Sequence, residues 1–319
     1  MNAVQYSFDE FWSLVNGLSS DQRALPYVCA LASELAYHHV PQFEIDAPKR
    51  AKLVVPCAAY RAIAAAGTAT NVFTVLRERD LARAFVAVDR FVIAAGFAVG
   101  DKLFVGFRGT AFLFDWRINL SAPLVPVAGV FPTTLGALLW PGAGRLHRGF
   151  AEEAVRIAIK IREEAEKIGG PFSKVYLCGH SLGGAVAAIA EGLLYPLGDI
   201  EPTHIFGAPR YADVSHYYSR RTAPPLQFKR AGDIVPAVPS RRMGYADHPR
   251  EFDTQGREDP TLRDRTGAYF LWRTSLFAAR SFEPHSMEGY RKELGIACGA
   301  KLAAQELTDR GKLTTEHVF

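Results

Sequence analysis

The sequence predicts a single α/β domain with a mostly parallel central sheet covered by helices on both faces. Three observations predict it. Apolar and β-branched runs over 84–88, 91–97 and 103–107 are divided by Asp89-Arg90 and Gly100-Asp101, as in a strand meander. An amphipathic helical stretch over 150–168 stops at Gly169-Gly170-Pro171. Strand, helix, strand, crossover and strand then alternate to residue 230, the order of a helix-covered parallel sheet.

The elements follow in chain order. Ser20 or Asp21 is placed to cap a helix over 25–39, which Pro41 ends. The three strand runs come next. In the helix over 150–168, Phe150, Ala154, Ile157, Ile161, Ala165 and Ile168 share one face. Glu152–Arg156 and Glu163–Lys167 are spaced to pair on its outer side. A short strand over 174–178 leads into a small-residue helix, Leu182–Tyr195, ended by Pro196. Further strands are predicted over 203–206 and 226–230, with a segment between them that also reads as helical. No internal repeat or linker divides the chain, so residues 1–319 are read as one domain. Residues 1–84 form its helical and irregular N-terminal extension.

Composition excludes several classes. The 319 residues, 49% hydrophobic and 22% charged, suffice for a large core without a disulfide or metal staple. Lys+Arg 37 against Asp+Glu 33 leaves +4 without a concentrated basic face, which argues against nucleic-acid binding. Cys29, Cys57, Cys178 and Cys298 show no paired spacing and read as reduced thiols. The first 22 residues hold no Lys or Arg, unlike a secretory leader. The expectation is a cytoplasmic protein, or one exported by a leaderless route. Residues 118–144 are uncharged, but Pro123, Pro126, Pro132 and Pro141 break any membrane-spanning helix there.

Gly179-His180-Ser181-Leu182-Gly183 fits GxSxG between a predicted strand and a predicted helix, the setting of a nucleophile elbow. Glycines on either side relieve the clashes of a serine held in a strained turn. The competing reading is a glycine-rich turn with a bystander serine. A serine hydroxyl needs a base, normally a histidine oriented by a carboxylate. Asp233 follows the 226–230 strand and so reaches the same sheet edge as Ser181. Asp199 precedes a strand and belongs at the opposite edge; Asp213 reads as a helix cap. Among the histidines, His204 reads as core and His216 as surface, while His248 and His285 both follow the acid. His285, after Pro284 and at the start of a helical pattern over 286–294, is the favoured base. The oxyanion donors expected are the N–H of Leu182 and, after the 103–107 strand, Thr110.

Several blocks together resemble the class 3 lipases of the fungal-lipase type. They are Val105-Gly106-Phe107-Arg108-Gly109-Thr110, Asp115-Trp116, Asn119-Leu120 and His147-Arg148-Gly149-Phe150. Gly179–Ala185, Phe206–Arg210, Gly232–Pro236 and His285-Ser286-Met287 with Tyr290 continue the series. The resemblance implies an α/β-hydrolase fold, with Ser181 as nucleophile, Asp233 as acid, His285 as base, and Thr110 and Leu182 as oxyanion donors. It implies a structural role for His147, leaves His248 outside the triad, and makes Arg108 a loop anchor held by a buried ion pair.

A lid over 111–146 is also implied, with Phe112, Phe114, Trp116, Leu139 and Trp140 as its apolar face. An aromatic insertion over 256–284, with Phe270 and Trp272, forms a second candidate acyl-binding wall. The alternative for the apolar 111–146 stretch is simple cover for the core. Two departures stand out: that stretch is longer and more apolar than in compact fungal members, and the cysteines form no bridge pattern. The expected activity is hydrolysis of lipid carboxylic esters, without metal or cofactor, on a lipid or ester substrate met through transient interface contact. A phospholipase A1-type enzyme and a non-catalytic lipase-like binding protein are the alternatives.

Overall fold

The computed structural model describes residues 14, 15, 17, 22–37, 83–89, 92–109, 123–130, 144–219, 223–258 and 284–300. Strands β1 (Ala84–Asp89), β2 (Val92–Val99) and β3 (Lys102–Arg108) form the predicted antiparallel meander. Strand β6 (Phe172–His180) then joins β3 in parallel, followed outward by β8 (His204–Phe206), β9 (Leu226–Lys229) and β10 (Glu251–Asp253). A short strand, β7 (Gly198–Ile200), pairs with the first half of β6.

Residues of β1 and β2 are buried throughout, because helices cover both faces and leave no solvent side for polar alternation. On one face lie α2 (Arg148–Lys167) and α3 (Leu182–Leu194), packed with Ile157, Ile161, Val186 and Ile189 against Val105 and Leu177. On the other, α1 (Leu25–Leu35) and α5 (Met287–Ala297) bury Val28, Leu31, Tyr290 and Leu294 over Phe104 and Phe206. Truncating one such side chain to alanine costs about 2–5 kcal/mol.

Register positions the site. Phe107 of β3 lies opposite Gly179 of β6, and His180 lies opposite Phe206 of β8. The loops leaving β3, β6, β8 and β9 therefore emerge together at the carboxyl edge of the sheet.

Several details differ from the sequence reading. Helix α1 starts from a 3-10 turn over Gln22–Ala24, with Ala24 at the cap, and ends at Leu35. Ser20 and Asp21 lie outside the described residues. On α2 the ion pairs shift by one position: Arg156 reaches Glu153 and Asp89, and Lys167 reaches Glu164. Asp89 ends β1 beneath α2 and draws Arg156 inward. His216 is fully buried, not a surface residue, because the backbone at Gly144 packs against it. It belongs to α4 (Val214–Ser219), the helical segment expected between β8 and β9.

Within the 111–146 stretch, β4 (Leu124–Pro126) pairs with β5 (Arg145–His147), and Val127 is buried in the core. That part is fastened to the body. The rest of the proposed lid and nearly all of the 256–284 insertion lie outside the described residues.

Candidate active site

Ser181 stands between the end of β6 and the start of α3 with φ 60° and ψ −134°. Among the described residues it is the one non-glycine with a positive φ. Such a conformation costs on the order of 1–3 kcal/mol and persists only where its surroundings hold it. Here its N–H donates to the Phe206 carbonyl at 2.9 Å, and its own carbonyl accepts from Gly184 N–H at 2.9 Å.

The flanking glycines are required by close approach. A Cβ on Gly179 would sit 2.5 Å from the Gly183 carbonyl oxygen, and one on Gly183 would sit 2.6 Å from that of Phe107. The loop after β3 comes equally near: a Cβ on Gly109 would lie 2.9 Å from the Ser181 Cβ and 3.2 Å from its Oγ. Leu182 opens α3, so its N–H has no acceptor within the helix and stands at the positive end of the dipole.

Asp233 follows β9 and is sealed from solvent. Its Oδ1 accepts the Val235 N–H at 2.9 Å. Its Oδ2 accepts from His285 Nδ1 at 2.9 Å and from the Tyr290 hydroxyl at 2.6 Å. A carboxylate only accepts, so the proton of the His285–Asp233 bond resides on Nδ1. In the neutral imidazole, Nε2 then carries the lone pair that a general base needs.

The backbone around His285 is anchored as well. Arg230 donates to the Pro284 carbonyl at 2.9 Å and pairs with Glu293 at 2.8 Å. Ser286 caps α5 by accepting the Gly289 N–H at 3.2 Å. The His285 ring lies 4.5 Å, centroid to centroid, from that of His180, the neighbour of Ser181. Ser181, His285 and Asp233 thus stand on one edge of the sheet, delivered by three separate loops. Burial, with the Asp233 charge second, pushes the Tyr290 hydroxyl well above its ordinary range and keeps it a donor.

The other candidates fall elsewhere. Asp213 accepts from the N–H groups of Arg145 and His216 and pairs with the Arg145 guanidinium at 3.0 Å, the capping role read from sequence. Asp199 pairs with Lys174 on the far side of the sheet. His204 stacks on Phe228, and burial lowers its pKa to about 4. His248 sits in irregular chain just before β10, 3.4 Å from the Tyr217 hydroxyl; burial first, then Lys229, lowers its pKa to about 3. His147 caps α2 by accepting the Phe150 N–H at 3.3 Å. Arg108 lies over the Tyr37 ring, 6.0 Å from its centroid.

Thr110, Phe112, Phe114, Trp116, Leu139, Trp140, Phe270 and Trp272 lie outside the described residues. Tyr37 escaped the sequence reading of this site. It contacts His180 across 143 residues of chain, and nothing local marks it.

The chain is similar to known lipases. The family model Lipase (class 3) matches residues 104–243. The chain is 33% identical over 104 residues to "Secreted mono- and diacylglycerol lipase 1" of Fusarium solani, covering 31% of this chain and 31% of that one. It is 29% identical over 240 residues to "Phospholipase A1-II 4" of Oryza sativa subsp. japonica, covering 68% of this chain and 55% of that one. The matches thus span less than two thirds of either relative's length. Among solved structures, a lipase from Rhizopus microsporus var. chinensis aligns at 19% identity and a TM-score of 0.46, over 81% of this chain and 78% of the other.

Proposed function

Because residues 104–243 match the class 3 lipase family model and lie on a mostly parallel, helix-covered sheet, we propose that this chain hydrolyses carboxylic esters of lipids through an acyl-enzyme on Ser181. One observation carries the reading. The strained serine at the strand–helix junction shares a sheet edge with a histidine already hydrogen-bonded to a buried carboxylate.

In this reading His285 Nε2 takes the Ser181 proton as Oγ attacks the ester carbonyl. Asp233 stabilises the imidazolium that forms and holds its orientation. The N–H of Leu182 and the Thr110 group are the donors to the oxyanion of the tetrahedral state. His285 returns its proton to the departing alcohol, leaving the acyl group on Ser181. Water then attacks the acyl-enzyme, giving its proton to His285, and the fatty acid leaves as Ser181 is reprotonated.

Phe112, Phe114, Trp116, Leu139 and Trp140 are the proposed lid face, and Phe270 and Trp272 the proposed acyl wall. Lid opening would bare an apolar patch to a lipid surface. Likeness to a rice phospholipase A1 over 240 residues favours a second reading, cleavage of a phospholipid acyl ester by the same machinery. The free, buried thiols of Cys29 and Cys178 suit a reducing compartment, which cell fractionation tests.

The functional test is hydrolysis of esters and phospholipids of graded chain length, below and above their solubility limits, by wild type and Ser181→Ala. Wild type should turn over lipid esters, and the variant should lose about three or more orders of magnitude. A rate jump on emulsion formation supports a lid; equal rates for the two proteins contradict the assignment.

A further inference from the structure

We propose that Tyr37 and His180 are positioning residues: one hydrogen-bond chain through them fixes the loop after β3 and the backbone of His285 at the same time. This rests on the reading of Ser181 and His285 above, and goes beyond it by naming what holds their surroundings in register.

The direction of each bond follows from the chemistry. His180 Nε2 lies 2.8 Å from the His285 carbonyl oxygen, which can only accept, so Nε2 carries the proton. Nδ1 of the neutral ring is then bare, and it accepts the Tyr37 hydroxyl proton at 2.6 Å. With its proton committed, the Tyr37 oxygen accepts the Gly109 N–H at 3.2 Å. The chain therefore runs Gly109 to Tyr37 to His180 to His285, with each donor matched to one acceptor.

Both central groups are kept neutral. Burial pushes the Tyr37 hydroxyl up to about 12. Burial, then the neighbouring His285, holds the His180 imidazole well below its ordinary pKa. Ring contacts support the same arrangement: His180 packs 5.6 Å from Tyr37, 4.5 Å from His285 and 5.8 Å from Tyr290.

Each end of this chain is a sensitive place. Gly109 packs so close that a Cβ on it would lie 2.9 Å from that of Ser181, and it immediately precedes Thr110, the proposed second oxyanion donor. His285 carries the base. Tyr37 comes from the turn after α1, 72 residues from Gly109, so the N-terminal layer of the fold reaches the backbone beside the site.

Tyr37→Phe tests the inference by removing the hydroxyl while keeping the ring. It leaves Gly109 N–H and His180 Nδ1 without their partners. A misplacement of about 1 Å costs on the order of 10²-fold, so kcat should fall about 10- to 100-fold with KM within about twofold. The rate of fluorophosphonate labelling at Ser181, counted per folded molecule, should fall in the same ratio.

His180→Gln, which retains a donor toward the His285 carbonyl, should keep more activity than His180→Leu at equal folded fraction. A Tyr37→Phe kcat within about twofold of wild type overturns the proposal. So does a loss confined to KM, or one that vanishes after correction for folded protein. If wild type itself is not labelled at Ser181, the assignment of the nucleophile fails instead. Labelled wild type with an unaltered Tyr37→Phe rejects the positioning chain alone.

Discussion

Replacing Asp233 by asparagine removes its charge and one of its two accepting oxygens while keeping the side chain's size. In the native site, Oδ1 accepts from Val235 N–H and Oδ2 accepts from both His285 Nδ1 and the Tyr290 hydroxyl. Every neighbour is a donor. An amide has only one accepting oxygen, and Val235 N–H holds it on the Oδ1 side, so the NH₂ group must face His285 and Tyr290. His285 then accepts at Nδ1 and carries its proton on Nε2, the nitrogen that must receive the Ser181 proton. Rotating the amide only moves the donor–donor conflict to Val235. Loss of the correct tautomer together with the compensating charge corresponds to about 10³- to 10⁴-fold in kcat, or about 4–5.5 kcal/mol in the barrier. The assay is steady-state hydrolysis of a p-nitrophenyl ester, with a thermal melt to establish that the variant is folded. A folded Asp233→Asn protein within about tenfold of wild type would refute this assignment.

Two further outcomes concern stability. His204 and His248 have folded pKa values of about 4 and about 3, both below the ordinary value of 6.5. As pH falls through about 6.5, the unfolded chain takes up protons that the folded protein refuses; stability present above that pH is lost on the way down to pH 4, by about 1.4 kcal/mol per pH unit for each histidine. His180 acts in the same direction. Urea unfolding at pH 7.5, 6.5 and 5.5 should show a declining free energy, and identical values at all three would contradict it. Glu34 pairs with the fully buried Arg291, joining α1 to α5. Glu34→Ala removes the carboxylate from that buried pair and should cost about 3–5 kcal/mol, read as a fall in the urea midpoint; a cost under about 1 kcal/mol would deny the pair its role.

What the sequence made legible was what short-range pattern encodes. The meander, the strand–turn–helix around Ser181 and the amphipathic helix read over 150–168 each carry a local signature of spacing or turn chemistry. Asp199 is set apart by standing before a strand and pairs with Lys174, while Asp213 is set apart as a helix cap and makes those contacts. The failures are tertiary in origin. His216 sits in a polar, aromatic segment that reads as surface, but the backbone at Gly144 and the rings of Tyr211 and Tyr217 pack against it and bury it. The partner of Arg156 depended on Asp89, which a distant strand brings beneath α2. Strands β7 and β10 are three residues long with one large apolar residue each, Ile200 and Phe252, whereas the equally short β8 carries Ile205-Phe206. Tyr37 contributes through an approach across the fold that no spacing encodes.

The convergence of Ser181, His285 and Asp233 is tested most directly by a crystal structure of the protein after reaction with a long-chain alkyl phosphonate ester. Convergence requires phosphorus bonded to Ser181 Oγ, with the phosphoryl oxygen about 3 Å from the Leu182 N–H. The His285 Nε2 should stand within about 3.2 Å of the serine oxygen, its Nδ1 still on Asp233. Phosphorus on another residue, or an imidazole turned away from Ser181 in the adduct, would contradict it.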